Sequence, residues 1–336
     1  MQIKVRNKRI GGNAPAFIIA EIGTNHNGNP KLAVKLIKEA ARARVDAVKF
    51  QVVDPKESYQ KGSPSYKIFK KVRLDFSVLR KLKREAEKLG LVFFATPGDV
   101  SSLKELLRLN VPLIKISSGC MTNIVLLREA AQTGLPIIMS TGMSYMREVK
   151  RAVGELEKNG ADKIVVLHCV SQYPAKADIL NLNAIRTLKS RFKYPIGYSD
   201  HAEGSISSLV AVSLGAKVIE KHFTLSRKLK GPEHKFSMEP EELWQMVSDI
   251  RNAEKMMGSY EKTPANGEKA ARDKFRRFLV FRRDMKKGTS IKAGDMGIKR
   301  LISGKGISPH CYDSAIHKTL TKDVKKDTAL TSNLLR

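Results

Sequence analysis

Eight short apolar runs, each followed by a segment with helical periodicity, constrain the fold of this chain more than any other feature. The runs are rich in Val, Ile and Phe, which favour strands, and the amphipathic segments between them fit helices. Repetition of such βα units predicts an α/β protein whose parallel strands close into a (β/α)8 TIM barrel. The predicted strands cover residues 17–22, 46–51, 91–95, 111–116, 136–140, 163–168, 194–199 and 217–222.

The 336 residues of the chain exceed the roughly 250 that such a barrel needs, which predicts a second domain. We expect the barrel over residues 1–258, a polar linker over 259–276, and a small, mostly β domain with frequent glycine turns over 277–336. A domain of about sixty residues is too small to be very stable alone, so it is expected to dock on another surface. Residues 52–74 are predicted to form an extended, basic loop beside the active site.

The net charge of +29 would attract any polyanion but does not choose among nucleic acid, acidic lipid and phosphorylated metabolites. Basic residues are scattered beside apolar helix positions, and closely spaced aromatic residues are lacking, which favours a solvated surface over a nucleic-acid interface. The three cysteines are far apart, which indicates neither a disulfide framework nor a thiolate zinc site. With no secretion signal and no membrane-spanning stretch recognised, we expect a cytoplasmic protein without a membrane partner.

Polar residues stand at or just after the C-terminal end of every predicted strand. In a TIM barrel these ends form one rim, where catalytic groups gather. Each residue alone has an ordinary structural explanation, but their repetition around the rim predicts a functional site. They are Glu21, Lys49, Gln51, Thr96, Lys115, Ser117, Ser118, Ser140, Thr141, His168, residues 199–201, Glu220 and His222.

Two pairs of these residues indicate specific chemistry. His201 and His222 follow adjacent strands and can converge on one divalent ion that keeps open positions, which suits Mn²⁺, with Mg²⁺ or Co²⁺ as further candidates. Lys49 and Lys115 lie two strands apart and can bracket a phosphate or carboxylate. Unrelated hydrogen-bonding histidines and a surface lysine pair are the structural alternatives. A functional alternative is a class I aldolase with Lys115 as its Schiff-base lysine.

Nine motifs follow one another along the chain: AEIGTNHNG, DAVKFQ, FFATPGD, KISSG, STGM, LHCVSQYP, GYSDH, IEKHFTL and GPEHKFSMEP. Together, in this order, they closely resemble the N-acetylneuraminate (sialic acid) synthase family, whose members also make legionaminic and pseudaminic acids. The resemblance covers nearly the whole chain, and the C-terminal segment is similar to the family's antifreeze-like (SAF) domain.

The resemblance implies that phosphoenolpyruvate condenses with an open-chain N-acetylated hexosamine, such as N-acetylmannosamine, and that phosphate is released beside a divalent metal. It implies His201 and His222 as metal ligands, and a domain-swapped homodimer in which Arg300 enters the partner's site. Glu21 and Glu220 match acidic residues near the reacting centre. We expect Glu220 to accept a proton from water and Glu21 to orient the aldehyde. The positions that match phosphoenolpyruvate-binding residues are Lys49, Thr96, Lys115, Ser118, Ser140 and Tyr173.

Three departures from the family pattern concern the sugar. Cys120 stands where the family usually has an acidic residue that helps to hold the sugar, and Glu233 replaces the usual Asp. Residues 52–75 contain no Asn, although some relatives place a substrate-contacting Asn there. The identity of the amino sugar, including its 6-phosphorylation, therefore stays open.

Overall fold

The computed structural model describes residues 1–302 and 305–336, apart from the side chain of residue 273. Residues 303 and 304, which fall in the predicted glycine-rich C-terminal domain, lie outside the described part. The chain forms two compact units, Met1–Gly258 and Ser259–Arg336. Among the helices that the structure describes, none combines the length and the apolar character that crossing a bilayer requires.

The first unit begins with a hairpin that the strand pattern above did not predict. Its strands, β1 (Gln2–Val5) and β2 (Lys8–Gly11), pair antiparallel. Ile3, Val5 and Ile10 are buried against inward-facing residues of the following strands. The hairpin therefore closes the N-terminal end of the sheet described next.

Within residues 1–258, eight parallel strands form a barrel, which confirms the predicted fold. Their order around the barrel is β5-β4-β3-β10-β9-β8-β7-β6, and β5 and β6 lie next to each other where the order ends. Every predicted strand overlaps an observed one. The strands are β3 (Phe17–Gly23), β4 (Ala47–Val52), β5 (Val92–Pro97), β6 (Ile114–Ile116), β7 (Ile137–Ser140), β8 (Ile164–Cys169), β9 (Ile196–Asp200) and β10 (Val218–His222).

Helices between the strands turn their apolar faces towards the barrel. In the first of them, for example, Leu36 and Ile37 are fully buried, while Asn29 caps the N-terminus and Pro30 occupies the first turn. The helices of this unit are α1 (Pro30–Arg42), α2 (Pro55–Ser58), α3 (Pro64–Val72), α4 (Phe76–Lys88), α5 (Val100–Arg108), α6 (Ile124–Gln132), α7 (Met146–Lys158), α8 (Ala184–Arg191), α9 (Ile206–Ser213) and α10 (Pro240–Met257).

The segment over residues 52–74 differs from the extended loop that we predicted, because it folds into the short helices α2 and α3. Each helix begins with the same pair of signals. Asp54 and Ser63 accept hydrogen bonds from backbone N–H groups of the first turn, and each precedes a proline whose fixed φ suits the first helical position. The prediction of a long loop missed these two helices, because their local caps outweigh the loop-like composition.

Alternation along the strands fixes which residues enter the barrel. The inward side chains of the lower layers are apolar, so the lower part of the barrel is a packed core. They are Phe17, Ile19, Ala47, Val92, Phe94, Leu113, Ile138, Val165, Leu167 and Val218. Two residues beyond these positions, at the C-terminal strand ends, the inward side chains become polar.

The second unit is built around the antiparallel pair β11 (Arg277–Phe281) and β12 (Met296–Arg300). Its helices are α11 (Glu268–Phe275) and α12 (Tyr312–Ala315). Helix α11 lies within the predicted linker, whose run EKAARDKF consists mainly of good helix formers. The core of the unit consists of Leu279, Phe281, Met285, Ile291, Met296, Ala315, Leu320, Val324 and Leu330.

Candidate active site

A pocket of about 440 Å³ opens at the C-terminal ends of the barrel strands. Of the residues to which the sequence analysis gave a catalytic, substrate-binding or metal-binding role, all except Glu233 and Arg300 line it. The lining residues predicted from sequence are Glu21, Lys49, Thr96, Lys115, Ser118, Ser140, Tyr173, His201, Glu220 and His222. A cleft of about 560 Å³ lies beside the N-terminal hairpin, but its Lys8, Asp46 and Arg251 are already joined in ion pairs of 2.8 and 2.9 Å.

The floor of the pocket is a cluster of four buried charged side chains, here called the pocket cluster: Glu21, Lys49, Lys115 and Glu220. The Nζ atom of Lys49 lies 3.3 Å from Glu21 Oε2 and 3.2 Å from Glu220 Oε2. Lys115 Nζ lies 3.5 Å from Glu220 Oε1. Glu21 Oε2 and Glu220 Oε2 nevertheless accept no hydrogen bond within the described structure. Buried polar atoms in this state are costly, which marks the cluster as a site for further partners.

The two carboxyl groups of the pocket cluster differ in pKa. Burial raises the pKa of Glu21 to about 7, although the Lys49 ammonium opposes this shift. Burial also acts on Glu220, but Lys115 and Lys49 outweigh it and hold its pKa at about 2. Near neutral pH, Glu220 is therefore an anion and Glu21 can gain or lose a proton.

The two lysines of the pocket cluster also differ in pKa. Burial lowers the pKa of Lys115, with Glu220 opposing and Lys49 reinforcing the shift. The pKa of Lys49 is raised because Glu21 and Glu220 together outweigh the effect of burial. Lys49, which lies between two carboxylates, is the more firmly charged of the two cations.

Hydroxyl groups surround the lysines. Lys115 Nζ donates to Ser140 Oγ at 2.7 Å, and Lys49 Nζ donates to Thr96 Oγ1 at 3.3 Å. Ser118 Oγ accepts a hydrogen bond from the N–H of Gly142 at 2.9 Å. A Cβ atom on Gly142 would lie only 2.2 Å from Ser171 Oγ, so a larger residue here would displace that hydroxyl. The arrangement supplies neutral donors beside two cations, which suits an anionic ligand.

His201 and His222 lie together on one side of the pocket, with ring centroids 5.5 Å apart. His201 Nδ1 is 2.7 Å from the carbonyl oxygen of Val170, which leaves Nε2 free for another contact. His222 Nδ1 is buried and has no hydrogen-bond partner in the described structure. The Tyr173 ring lies 4.2 Å from the His201 ring and packs edge-on to His222. Burial, together with the nearby charge of His201, keeps the pKa of His222 well below its usual value.

Glu233 reaches the same side from the loop after β10. Its Oε2 accepts a hydrogen bond from Thr24 N at 2.8 Å and lies 3.9 Å from His222 Nδ1. A Cβ atom on Gly23, whose φ is +53°, would lie 2.3 Å from that oxygen. A glycine at the end of β3 is therefore needed for Glu233 to approach the histidines. Among the described residues, no group of three or more His, Cys, Asp or Glu side chains forms a metal-binding cluster.

Arg300 lies in the second unit, and Cys120 lies in the pocket lining. Arg300 ends β12 of the second unit, where its exposed guanidinium lies 4.9 Å from the Phe275 ring. Cys120 is half-buried in the pocket lining, and its Sγ is 3.8 Å from the carbonyl oxygen of Gly98.

His168 does not reach the pocket, although its strand-end position grouped it with the predicted rim. Its Nε2 lies 2.7 Å from the carbonyl oxygen of Leu180, and its ring stacks on Tyr198. The next residue, Cys169, points inward and lines the pocket. Strict alternation from the inward-facing Val165 and Leu167 would have selected Cys169 and rejected His168. Tyr59 and Phe69 of the α2–α3 segment were also missed, because no strand pattern applies to them.

An ion pair outside the barrel, here called the rear pair, joins the two strand ends that carry the histidines. Lys221 Nζ lies 3.0 Å from Asp200 Oδ2, and both side chains are almost completely buried. These residues are direct partners in the β9–β10 ladder and precede His222 and His201. Asp200 also accepts hydrogen bonds from Ala202 N and from the hydroxyls of Ser207 and Ser208. The rear pair is thus fully hydrogen-bonded and fixes the histidine-bearing ends.

Comparison with known proteins decides the family. The model of the NeuB family matches residues 36–262. The chain belongs to the NeuB family. An uncharacterized protein of Methanocaldococcus jannaschii, MJ1065, is 42% identical over 97% of this chain and 96% of its own length. The N,N'-diacetyllegionaminic acid synthase of Legionella pneumophila is 38% identical over 96% of this chain and 97% of its own.

A solved structure is similar to this NeuB-family chain as well. It is the N-acetylneuraminic acid (sialic acid) synthetase of Leptospira borgpetersenii, with a TM-score of 0.77 and 39% identity. The match covers 81% of this chain and 95% of that one. The family assignment and the barrel fold are therefore supported by sequence and structural similarity over most of the chain.

Proposed function

We propose that the protein is a nonulosonic acid synthase, which condenses phosphoenolpyruvate with an open-chain N-acetylated hexosamine, such as N-acetylmannosamine, and releases phosphate. The observation that carries the proposal is that the two buried ammonium groups of the pocket cluster line the same pocket as two buried histidines. Family membership supports the reaction class, and two of the relatives named above are, by name, synthases of legionaminic and sialic acid. Legionaminic and pseudaminic acid are the alternative products.

The cationic side of the pocket would hold phosphoenolpyruvate. Lys49 and Lys115 would neutralise its phosphate and carboxylate, while the hydroxyls of Thr96, Ser118 and Ser140 would orient them. Phosphoenolpyruvate would bind Lys49 and Lys115 alongside Glu220, which keeps its ion pairs with both lysines.

We assign proton transfer to Glu21. This differs from the expectation from the sequence, in which Glu220 accepts the proton. A general base works best when its pKa lies near the working pH. Glu21 meets this condition with a pKa of about 7, whereas Glu220 at about 2 does not. We therefore assign the proton carrier to Glu21 and electrostatic orientation to Glu220.

We further propose a divalent ion, Mn²⁺ above Mg²⁺ or Co²⁺, at His201 and His222. The residues fit such an ion, because His201 is oriented through Nδ1 and His222 carries an unpartnered buried nitrogen. Two protein nitrogens leave positions for water and substrate, and Glu233 is near enough to orient a bound water. When bound, the ion would act as a Lewis acid on the sugar aldehyde.

For the second unit we propose an antifreeze-like domain in a domain-swapped homodimer, with Arg300 reaching the partner's pocket. The exposed position of Arg300 and the small size of the domain support this. The check is complementation: Arg300→Ala and His222→Ala subunits, each inactive alone, should regain activity when mixed and refolded together. Continued inactivity of the mixed dimers would contradict the swap. We also propose that the enzyme acts in the cytoplasm, where phosphoenolpyruvate is produced.

The proposed reaction is tested by measuring phosphate release. Release should require phosphoenolpyruvate, an amino sugar and Mn²⁺ together, and should stop with a chelator. His222→Ala should abolish release, whereas the matched control His168→Ala, outside the pocket, should retain it. Release that survives both chelation and His222→Ala would contradict the proposal.

A second candidate is a class I aldolase, favoured by the lowered pKa of Lys115. A Schiff-base lysine must lose its proton, and burial assists this. Borohydride reduction in the presence of pyruvate separates the candidates. Trapped pyruvate on Lys115 would support the aldolase, and an unmodified Lys115 would support the synthase.

A further inference from the structure

Exposed charge is distributed unevenly around the mouth of the pocket. The α2–α3 segment lies on one side of the mouth, because its Tyr59 and Phe69 line the pocket. Arg73 of this segment is paired with Asp54 at 3.2 Å, and Glu57 is an exposed acid. Five lysines of the segment, here called the basic arc, are exposed and form no ion pair within the described structure: Lys56, Lys61, Lys67, Lys70 and Lys71.

The loop after β10 adds three exposed lysines next to the basic arc: Lys228, Lys230 and Lys235. Asn27 of the β3–α1 loop donates a hydrogen bond to the carbonyl oxygen of Lys230 at 2.9 Å. Its neighbour Gly28 packs on the end of α3, where an added Cβ atom would lie 2.9 Å from the carbonyl oxygen of Lys71. The two basic segments therefore flank the same loop and form one side of the mouth.

The loops on the other side of the mouth carry almost no charge. They follow β6, β7, β8 and β9 and cover residues 117–123, 141–145, 170–183 and 201–205. Their sequences contain one lysine, Lys176, and two acidic residues, Asp178 and Glu203. The positive charge of the rim is thus concentrated on the side of the α2–α3 segment.

The floor of the pocket adds little to the field outside it. Lys49 and Lys115 each lie within 3.5 Å of a carboxylate oxygen of Glu220, and Lys49 is also 3.3 Å from Glu21. Opposite charges at such distances offset much of each other's effect on a distant ion. Salt screens charges beyond about 8 Å at physiological ionic strength. An anion that approaches the pocket is therefore influenced mainly by the exposed charges of the rim.

We infer that the basic arc attracts phosphoenolpyruvate to the mouth of the pocket and raises its local concentration there. The inference rests on the proposed function and adds residues that govern the apparent affinity for one of its two substrates. An N-acetylated hexosamine is uncharged and gains nothing from this field. The lysines of the arc do not line the pocket, so they should affect KM for phosphoenolpyruvate and leave kcat unchanged.

The test replaces three lysines of the arc together, as Lys67→Gln, Lys70→Gln and Lys71→Gln, and measures phosphate release with Mn²⁺ and an amino sugar that the wild type accepts. At low ionic strength, kcat/KM for phosphoenolpyruvate should fall about tenfold, because the local concentration of the anion falls. The difference from wild type should disappear at about 1 M salt, where charges are screened beyond about 3 Å. KM for the amino sugar and kcat should stay at their wild-type values.

A matched control removes three exposed lysines at the opposite end of the barrel: Lys4→Gln, Lys158→Gln and Lys189→Gln. It has the same net charge as the arc variant and should keep the wild-type kcat/KM for phosphoenolpyruvate. Glutamate in place of glutamine at the three arc positions doubles the change in charge, which should deepen the loss to roughly 100-fold. A loss caused by altered packing would not follow charge and salt in this way.

An arc variant with the wild-type kcat/KM for phosphoenolpyruvate at low salt would overturn the inference while leaving the proposed reaction intact. An equal loss in the control variant, or a loss that high salt does not reduce, would overturn it as well. Wild-type protein that releases no phosphate with any amino sugar would overturn the reaction itself.

Discussion

Two groups of buried ions share strand β10 of the barrel and differ in how completely their polar atoms are hydrogen-bonded. The rear pair, Asp200 and Lys221, faces outward, and its carboxylate accepts hydrogen bonds from two serine hydroxyls and a backbone N–H. The pocket cluster faces inward, and Glu21 Oε2 and Glu220 Oε2 accept none in the described structure. Adjacent residues on β10, Glu220 and Lys221, belong to these two different groups.

This difference in hydrogen bonding distinguishes residues that stabilise the fold from residues that act in catalysis. A buried ion pair with every atom bonded holds the scaffold in one arrangement, whereas a buried cluster with unused acceptors is held in place by that scaffold and awaits a ligand. The rear pair joins the strand ends that carry His201 and His222. We therefore expect its loss to damage folding and the loss of pocket charges to damage catalysis.

The largest expected effect is that of Lys221→Met. It leaves the Asp200 carboxylate buried without its cation, which should lower the free energy of unfolding by about 3–5 kcal/mol in urea titration. The double variant Asp200→Asn with Lys221→Met should recover part of this loss, because no unpaired charge then remains. If Lys221→Met is as stable as the wild type, the rear pair does not stabilise the fold and the prediction is contradicted.

Lys115→Met removes a charge from the pocket cluster, so it should affect catalysis more than stability. Removing one cation that stabilises charge in the reaction should lower kcat/KM for phosphate release by roughly 10²–10³. Stability should fall less than in Lys221→Met, because Glu220 keeps its contacts with Lys49 and Ser199. A variant that loses stability but keeps its activity would reverse the two roles.

A smaller effect concerns pH and Glu21. The native carboxyl titrates at about 7 and the unfolded one near its ordinary 4.5, so between these values the native state binds more protons. The free energy of unfolding should therefore fall as pH rises through this window, by on the order of 1–3 kcal/mol. Urea titrations of metal-free protein should show this slope for wild type and a flatter one for Glu21→Gln. Parallel slopes would contradict the raised pKa.

Much of the fold could be predicted because its signals are local and repeated. All eight barrel strands follow from apolar runs such as residues 163–168, and polar strand ends indicated where a site lies. The N-terminal hairpin was missed, although Ile3 and Val5 alternate with polar residues, because two short strands give a weak pattern. Helices α2 and α3 were missed because their caps lie in a basic, loop-like segment.

The sequence predicted many of the residues that line the pocket, but not how they are arranged in it. Family resemblance and strand ends together named most lining residues, yet strand-end position alone also included His168, which faces outward. Which carboxyl carries the proton depends on the distances from Lys49 and Lys115 to Glu21 and Glu220, and sequence does not give those distances. The presence of Tyr59 and Phe69 in the pocket lining depends on how the segment of α2 and α3 folds over the rim.

The central claim is that two histidines and two lysines enclose one pocket that holds a metal ion beside phosphoenolpyruvate. Paramagnetic relaxation tests it directly, because bound Mn²⁺ relaxes a phosphorus nucleus only at short distance. The ³¹P signal of phosphoenolpyruvate should broaden strongly with Mn²⁺ and wild-type or His168→Ala protein, and should lose that protein-dependent broadening in His222→Ala. Phosphoenolpyruvate and Mn²⁺ that both bind to the wild-type protein without any such broadening would contradict the account.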